Sequence, residues 1–424
     1  MIQDRFARLL AGRVHYAWVV VAVMFTVILA GVGVRSAPSV LIKPLQAAFG
    51  WDAATVSGAI SLNILLFGLT GPFGAALMQT IGVRRTLLGA LTLLLAGAGL
   101  SAFVTHPWQL YLTWGVLVGI GCGGVGFGIA AVVANRWFIA RRGLAVGLLT
   151  ASNASGQLIF LPALAALAQS AGWAAVPVAV ALVIAAMIPL VWLLLAESPG
   201  AIGLGPFGGG AEAPLLPTAG NPFRVALEGL ARGARSTDFW LLVASFAVCG
   251  FSTNGLVGTH LISYCMDHGI PAVSAAGMLA AIGVFDLVGT TCSGWLTDRF
   301  NSRVLLFWYY GLRGLSLLAL PFTNFDMVSL SVFAVFYGLD WVATVPPTIM
   351  LTNEVFGRKD APVIASWIFC GHQAGAALAA LGAGAVRSAT GSYFAAFIAS
   401  GAACLIASLL VLRIARGPVA AVAE

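Results

Sequence analysis

The chain has 424 residues, of which 60% are hydrophobic and 8% charged, with a formal net charge of +7. A soluble domain carries about 25% charged residues, so a water-soluble globule is excluded. The six cysteines show no paired spacing, which excludes a disulfide frame or a zinc-built scaffold.

The N-terminal stretch MIQDRFARLLAGR does not read as a cleavable signal, because the apolar run behind it is too long and lacks a small-residue cleavage site. Apolar runs of about 20 residues then recur to the end, each long enough to cross a bilayer as a helix. They are continuous rather than alternating, which argues against a β-barrel. Backbone groups in lipid must be satisfied within the segment, so the runs should be helical. The predicted spans are 16–41, 54–77, 87–104, 108–133, 144–169, 173–196, 237–262, 272–296, 303–323, 327–352, 362–386 and 391–415. The expected fold is therefore an all-α integral membrane protein of twelve transmembrane helices.

The longest polar interruption is 197–236, rich in Gly and Pro and then in Arg. It reads as a linker, with a short amphipathic helix at 223–233 lying on the membrane. It divides the chain into a six-helix bundle at 1–196, a cytoplasmic linker at 197–236 and a second six-helix bundle at 237–424.

Charge placement sets the orientation. With the N-terminus inside, the inside segments hold Arg5, Arg8, Arg13, Arg84, Arg85, Arg136, Arg141, Arg142, Arg224, Arg232, Arg235, Arg299, Arg303, Arg358, Lys359, Arg413 and Arg416. The outside loops hold only Lys43 and Arg387, while Arg35 and Arg313 fall within spans. This positive-inside pattern predicts a multi-pass inner-membrane protein with both termini cytoplasmic. It also accounts for the basic excess without a nucleic-acid partner.

Gly74-Ala-Ala-Leu-Met78-Gln79-Thr-Ile-Gly82-Val-Arg84-Arg85 joins spans two and three, and Gly294-Trp-Leu-Thr-Asp298-Arg299-Phe-Asn301-Ser-Arg303 joins spans eight and nine. The matching spacing at equivalent places predicts two repeats of one six-helix plan. Glycine allows close helix approach, and the acid and bases can pair across helix ends. With this pair of motifs the chain resembles the major facilitator superfamily. The resemblance implies two pseudo-symmetric bundles around a central cavity open alternately to each side. It makes Gly74, Arg84, Arg85, Gly294, Asp298, Arg299 and Arg303 a cytoplasmic gate motif. The first copy has Met78 and Gln79 where the motif has an acid and a base, and the second has Asn301 in place of glycine.

A narrower resemblance, to monocarboxylate transporters and bacterial oxalate/formate antiporters, rests on three stretches. They are Asn135-Arg-Trp-Phe-Ile-Ala-Arg-Arg-Gly-Leu-Ala-Val-Gly-Leu, Arg35-Ser-Ala-Pro38, and Lys43-Pro-Leu-Gln-Ala-Ala-Phe-Gly-Trp51, joined by the acid in span eight. It implies carriage of a carboxylate. The sequence departs from that pattern at Thr290 and Ser39, where those transporters have basic residues.

A charge at mid-membrane costs about 3 kcal/mol on insertion scales, so each needs a partner or a task. Arg35, in span one, presents a planar fork suited to a carboxylate, against an Arg snorkelling to the interface. Asp286, in span eight, is a candidate proton carrier or a fixed partner of Arg313. Arg313 and Asp340 lie near mid-span in spans nine and ten and are expected to form a structural pair. Asn63, Asn153, Gln157, Asn254, His260 and His372 are further candidates for the substrate cavity, or interhelical hydrogen-bond glue. Pro346-Pro347 should bend span ten or break its ladder, and the glycine run 115–128 should admit close helix contact.

Two other classes compete. His260, Cys265, Met266 and His268 combine imidazole and sulfur in a way that suits copper or a similar metal; a polar helix end meeting water explains the same residues. Asp286 and Asp340 admit an intramembrane aspartyl protease if their carboxyls lie close enough to share a proton. H-E-x-x-H, G-x-S-x-G and a phosphate loop are absent. The expectation is a non-enzymatic secondary active transporter with no catalytic residue, bound metal or cofactor. Its substrate would be a small organic anion, with monocarboxylate symport with a proton as the leading form. An anion exchanger, a copper-like uptake transporter and a non-transporting sensor stand as alternatives.

Overall fold

The computed structural model describes Gln3 and residues 14–125, 129–209 and 221–414; at some of these, including Arg142, Asn153, Arg358 and Lys359, only the backbone is described. Among the described residues the chain is helical, apart from loops and one isolated bridge between Phe138 and Phe207.

The helices are α1 (Tyr16–Phe49), α2 (Ala53–Thr80), α3 (Val83–Ser101), α4 (Pro107–Val125), α5 (Ile129–Trp137), α6 (Arg142–Ala171) and α7 (Ala175–Leu194). After the loop come α8 (Pro222–Gly233), α9 (Thr237–Asp267), α10 (Ala272–Thr297), α11 (Ser302–Phe322) and α12 (Met327–Leu339). The helical stretch Val345–Thr390 is two helices meeting at Gly357, whose φ is 73°. Residues 345–356 are α13 and 358–390 are α14; α15 is Phe394–Leu410. Ten helices among the described residues are long and apolar enough to cross a membrane, and Ser155–Ala171 and Met327–Leu339 are shorter apolar ones. Phe103, Leu182, Phe336 and Leu409 lie on the outer surface and are mostly exposed, as suits side chains meeting lipid.

Local chemistry fixes the ends. Gly50, in the left-handed region at φ 70°, closes α1, and its N–H reaches Gln46 O. Asp52 caps α2 by accepting from the Thr55 N–H at 2.7 Å. Asp326 does the same for α12 through Ser329. At about 1.5 Å per residue, α1 is about 50 Å long and exceeds the hydrocarbon core of a bilayer.

The long helices pack in a few dominant pairs: α2 along α14, α1 along α6, α6 along α10, and α9 along α14. Gly74 permits a close approach of α2 to α4, since a Cβ there would lie 2.8 Å from Gly123 O. Helix α8 lies across α2 and α14, with Phe223 stacked on Phe73 at 5.3 Å and the Trp367 indole N–H donating to Ala226 O at 2.9 Å.

Two features depart from uninterrupted spans. Residues 111–118 of α4 and 251–257 of α9 are wound as π-helix. The expected span 327–352 is not continuous: α12 stops at Leu339, residues 340–344 turn, and α13 resumes at Val345. Pro346 then sits in the first turn of α13, where a missing N–H is tolerated.

Candidate functional site

Arg35 lies 14 residues from the end of α1, about 20 Å along the axis. Its neighbours Val34, Ser36 and Ala37 are buried, yet Arg35 itself is exposed although protein surrounds it. The side chain therefore faces an internal space that solvent can reach. Its guanidinium carbon lies 6.0 Å from the centre of the Phe67 ring on α2. Phe67 meets Phe369 of α14 edge to face at 5.9 Å, and Phe369 stacks on His372 at 5.5 Å. His372 Nδ1 is 3.0 Å from Gln373 Oε1, and Gln373 packs under Gly68. A polar and aromatic row thus runs from α1 through α2 to α14.

Gln157 stands on the other flank. Helix α6 meets α1 through Gly156 against Val32 and Phe160 against Gly33, and Gln157 lies between those contacts. It is half-buried and packs on Gly283 of α10, where a Cβ would lie 2.6 Å from Gln157 Oε1. Asp286 follows one turn later on α10. Asn254 sits within the π-helical part of α9, half-buried, with no side-chain hydrogen bond among the described residues. The Asn153 side chain lies outside the described residues.

Other candidates are tied to helix packing. Asn63 Nδ2 donates to Trp114 O at 2.7 Å, joining α2 to α4. His260 is 0% exposed, with Nδ1 3.2 Å from Tyr393 Oη and Nε2 2.8 Å from Ala380 O. Both of its ring nitrogens are engaged between α9 and the last two helices.

Arg313 of α11 is 1% exposed. Its Nε donates to Asp340 Oδ2 at 2.7 Å, Nη1 to Cys249 Sγ at 3.0 Å, and Nη2 to the carbonyls of Asp340 and of Trp341, the latter at 3.3 Å. Asp286 Oδ1 accepts from Thr290 Oγ1 at 2.8 Å and from the Val342 N–H at 2.9 Å. The two aspartates therefore have separate hydrogen-bond partners, and among the described residues their carboxyls form no hydrogen bond to each other.

The gate-motif residues divide. Arg84 is held by two groups: its N–H donates to Glu197 Oε2 at 3.1 Å, and its Nη2 donates to Trp192 O at 2.5 Å. Glu197 also accepts from the Val83 N–H at 2.7 Å and from Arg136 Nη1 at 2.6 Å. It supplies an acid to a motif copy that has Met78 instead. Arg85 is exposed. In the second copy, Gly294 has open space around it, Arg299 lies over the Trp295 ring at 3.9 Å, and the Arg303 N–H is capped by Asn301. Asp298 is exposed and forms no ion pair among the described residues, so the cross-helix pairing expected there is not formed.

One cluster escaped the sequence reading. Asp267, at the end of α9, accepts from Lys43 of α1 and from Arg387 of α14, the latter at 2.7 and 3.2 Å. Lys43–Asp267 is the one salt bridge among the described residues that joins the first 196 residues to the last 188. An acid at the end of an apolar span, with Lys43 and Arg387 as the two bases expected in outside loops, was the available signal.

The sulfur and imidazole groups near the end of α9 do not converge. His268 stacks on Phe325 at 3.7 Å while His260 faces Tyr393. Among the described residues no group of three potential metal ligands forms. A cavity of about 330 Å³ is an apolar groove between α11 and α15 lined by Phe307, Trp308, Leu312 and Leu405. None of the intramembrane charges lines it.

An all-helical bundle with an accessible Arg at its centre is matched by a family model described as the Major Facilitator Superfamily, over residues 23–380. The chain belongs to that superfamily. The fold agrees: a bacterial homolog of the human lysosomal transporter Spinster, solved inward-facing and occupied, aligns with a TM-score of 0.72 at 15% identity, over 95% of this chain and 97% of that one. Among relatives of this superfamily member, rat (Rattus norvegicus) monocarboxylate transporter 13 is 28% identical over 408 residues, 93% of this chain and 87% of its own. The uncharacterized MFS-type transporter YcxA of Bacillus subtilis is 25% identical over 389 residues, 89% and 90% of the two chains.

Proposed function

We propose that this superfamily member is a secondary active transporter that moves a small organic anion, foremost a monocarboxylate, across the inner membrane by alternating access. Twelve crossing segments in two six-helix bundles, 1–196 and 237–424, joined by a cytoplasmic linker at 197–236 with both termini in the cytoplasm, form the layout that goes with it. The ten long and two shorter apolar helices support that count.

The observation that carries the reading is Arg35. A guanidinium deep in an apolar assembly is costly unless used, and this one is accessible and lies over an aromatic face. A planar fork of N–H donors binds a carboxylate bidentately, and a phenyl face beside it suits a short apolar tail. Gln157 and Asn254, half-buried with no committed side-chain hydrogen bonds among the described residues, are the neutral partners best placed to complete the site. His372 and Gln373 stand behind Phe67. Asn63 and His260 act as interhelical ties, and Arg313 with Asp340 as a structural pair. Asp286, only half-buried, is the group through which a proton would be coupled. The naming of several relatives as monocarboxylate transporters supports the substrate class.

The test is uptake of radiolabelled lactate, pyruvate, formate and oxalate into proteoliposomes, with and without an inward proton gradient, for wild type and Arg35→Gln. At least one acid should be taken up, and the variant should lose that uptake while remaining folded. Gradient-driven uptake supports symport, and gradient-independent exchange supports an antiporter. No uptake of any acid by folded protein would refute the carboxylate reading.

A further inference from the structure

Pro346 and Pro347 donate no hydrogen bond, so the carbonyls of Val342 and Ala343 lose their usual helical partners four residues on. Inside a bilayer no water replaces them. The structure meets each orphan group separately. Ala343 O accepts from Ser293 Oγ of α10 at 2.5 Å, and Val342 O accepts from the Val345 N–H at 2.9 Å. On the other side of the break, Arg313 of α11 holds the carbonyls of Asp340 and Trp341, and Asp286 of α10 holds the Val342 N–H. A cation thus sits at the C-terminal end of α12 and an anion at the first free N–H leading into α13, each matching the local dipole. Groups from neighbouring helices, together with turn hydrogen bonds of the segment itself, keep this break in shape.

The two segments it joins are packed differently. Helix α12 is pinned to α10 at Gly338, where a Cβ would lie 2.8 Å from both Ile282 O and Phe285 Cβ. Helix α13 borders a cavity of about 20 Å³ lined by Phe246, Thr348, Thr352, Ile368 and Phe369. A segment packed closely on α10, a turn held by groups of other helices and a segment beside a small void thus meet at 340–344.

The charges around it are unbalanced. Arg313 pairs with Asp340 and makes no hydrogen bond to Asp286, so the cluster of two acids and one guanidinium keeps a net negative charge when both acids are ionised. Asp340 is 8% exposed, its Oδ2 is taken by Arg313 and its Oδ1 has no partner. The groups facing Asp286 are Thr290 on its own helix, Arg313 from α11, Cys249 from α9 and Asp340 from the break, with Gln157 of α6 one turn away. Of the two acids, Asp286 is the more accessible.

We infer that Asp286 is a proton-read clasp on a hinge in the α12–α13 segment. Ionised, it holds the Val342 N–H and keeps the break closed. Protonated, it is a poor acceptor, releases that N–H and frees α13 to swing about 340–344. This deepens the proton role proposed above and rests on that reading only in letting a proton reach Asp286; the hinge itself needs no substrate to be observed.

The test is hydrogen–deuterium exchange of the purified full-length protein in lipid nanodiscs, with protection at 340–345 corrected for intrinsic exchange, between about pH 8 and about pH 5. Wild type should lose protection at Val342 by about tenfold or more toward low pH. Asp286→Asn, whose amide oxygen still accepts but does not titrate, should be less protected than wild type at high pH and independent of pH. Ser293→Ala, which frees the other side of the break, should lower protection at every pH yet keep the wild-type pH response. Protection in wild type that ignores pH, or an Asp286→Asn protein that retains the pH response, overturns the clasp. A pH-responsive hinge in a protein that transports no acid would overturn the substrate reading alone.

Discussion

Arg313 of α11 commits its donors to the Asp340 carboxylate, two backbone carbonyls and a cysteine sulfur, and is 1% exposed. Arg35 of α1, also mid-helix, is exposed to internal space above the Phe67 ring. The same side chain is thus used in two ways. One guanidinium repairs a broken helix, and the protein supplies its counter-ion and hydrogen-bond acceptors. The other is exposed to solvent within the bundle. Burial separates a charge closed off inside the fold from a charge that solvent can reach, although both stand in equally apolar sequence.

The comparison breaks first at Arg313→Ala. Removing one partner of a buried ion pair leaves the other uncompensated and costs about 3–5 kcal/mol. The variant should lose its monodisperse size-exclusion peak or melt well below wild type. A normal melting curve would show that Asp340 needs no counter-ion. Arg35→Gln should do the reverse. Its stability should stay within about 0.5 kcal/mol of wild type, while uptake falls about tenfold to a hundredfold, as expected for one charge-assisted hydrogen-bonding group. Equal damage from both variants would erase the distinction.

Two smaller effects sharpen it. Glu197→Gln weakens the cap on α3 and its pairing with Arg136, for about 1 kcal/mol, seen as a modest drop in melting temperature. Lys43→Gln leaves Asp267 with Arg387 alone and should cost under about 1 kcal/mol in stability. Its clearer sign should be faster labelling, by an impermeant maleimide, of a cysteine placed at Ser388 in a background lacking the native cysteines. Unchanged labelling would mean that Lys43 does not hold the ends of α1 and α9 together.

The membrane class was legible because about 20 apolar residues in a row admit one physical solution. The intramembrane charges were legible for the same reason, since each stands out against its surroundings. Their partners were not. Asp286 had Arg313 as its nearest candidate, but its carboxylate accepts from the Val342 N–H, a group no side-chain pattern reveals. The prolines at 346 and 347 marked a disturbance in span ten. The break falls earlier, at 340–344, because the carbonyls a proline frees lie four residues before it. His260 looked like a cavity histidine by depth alone, and only packing against Tyr393 and Ala380 shows both ring nitrogens engaged. Glu197 read as the start of a linker; its role in capping α3 depends on a contact across 114 positions.

That separation has a consequence during synthesis. The N-terminus of α3 is completed by a residue made 114 positions later. At about 5–20 residues per second, the ribosome takes roughly 6 to 23 s to cover that distance. For that interval the turn bearing Arg84 and Arg85 stands without its acid. Glu197 closes the turn only after the segment ending at Leu194 has been made, so the first half of the molecule acquires its final clasp as its last helix is completed.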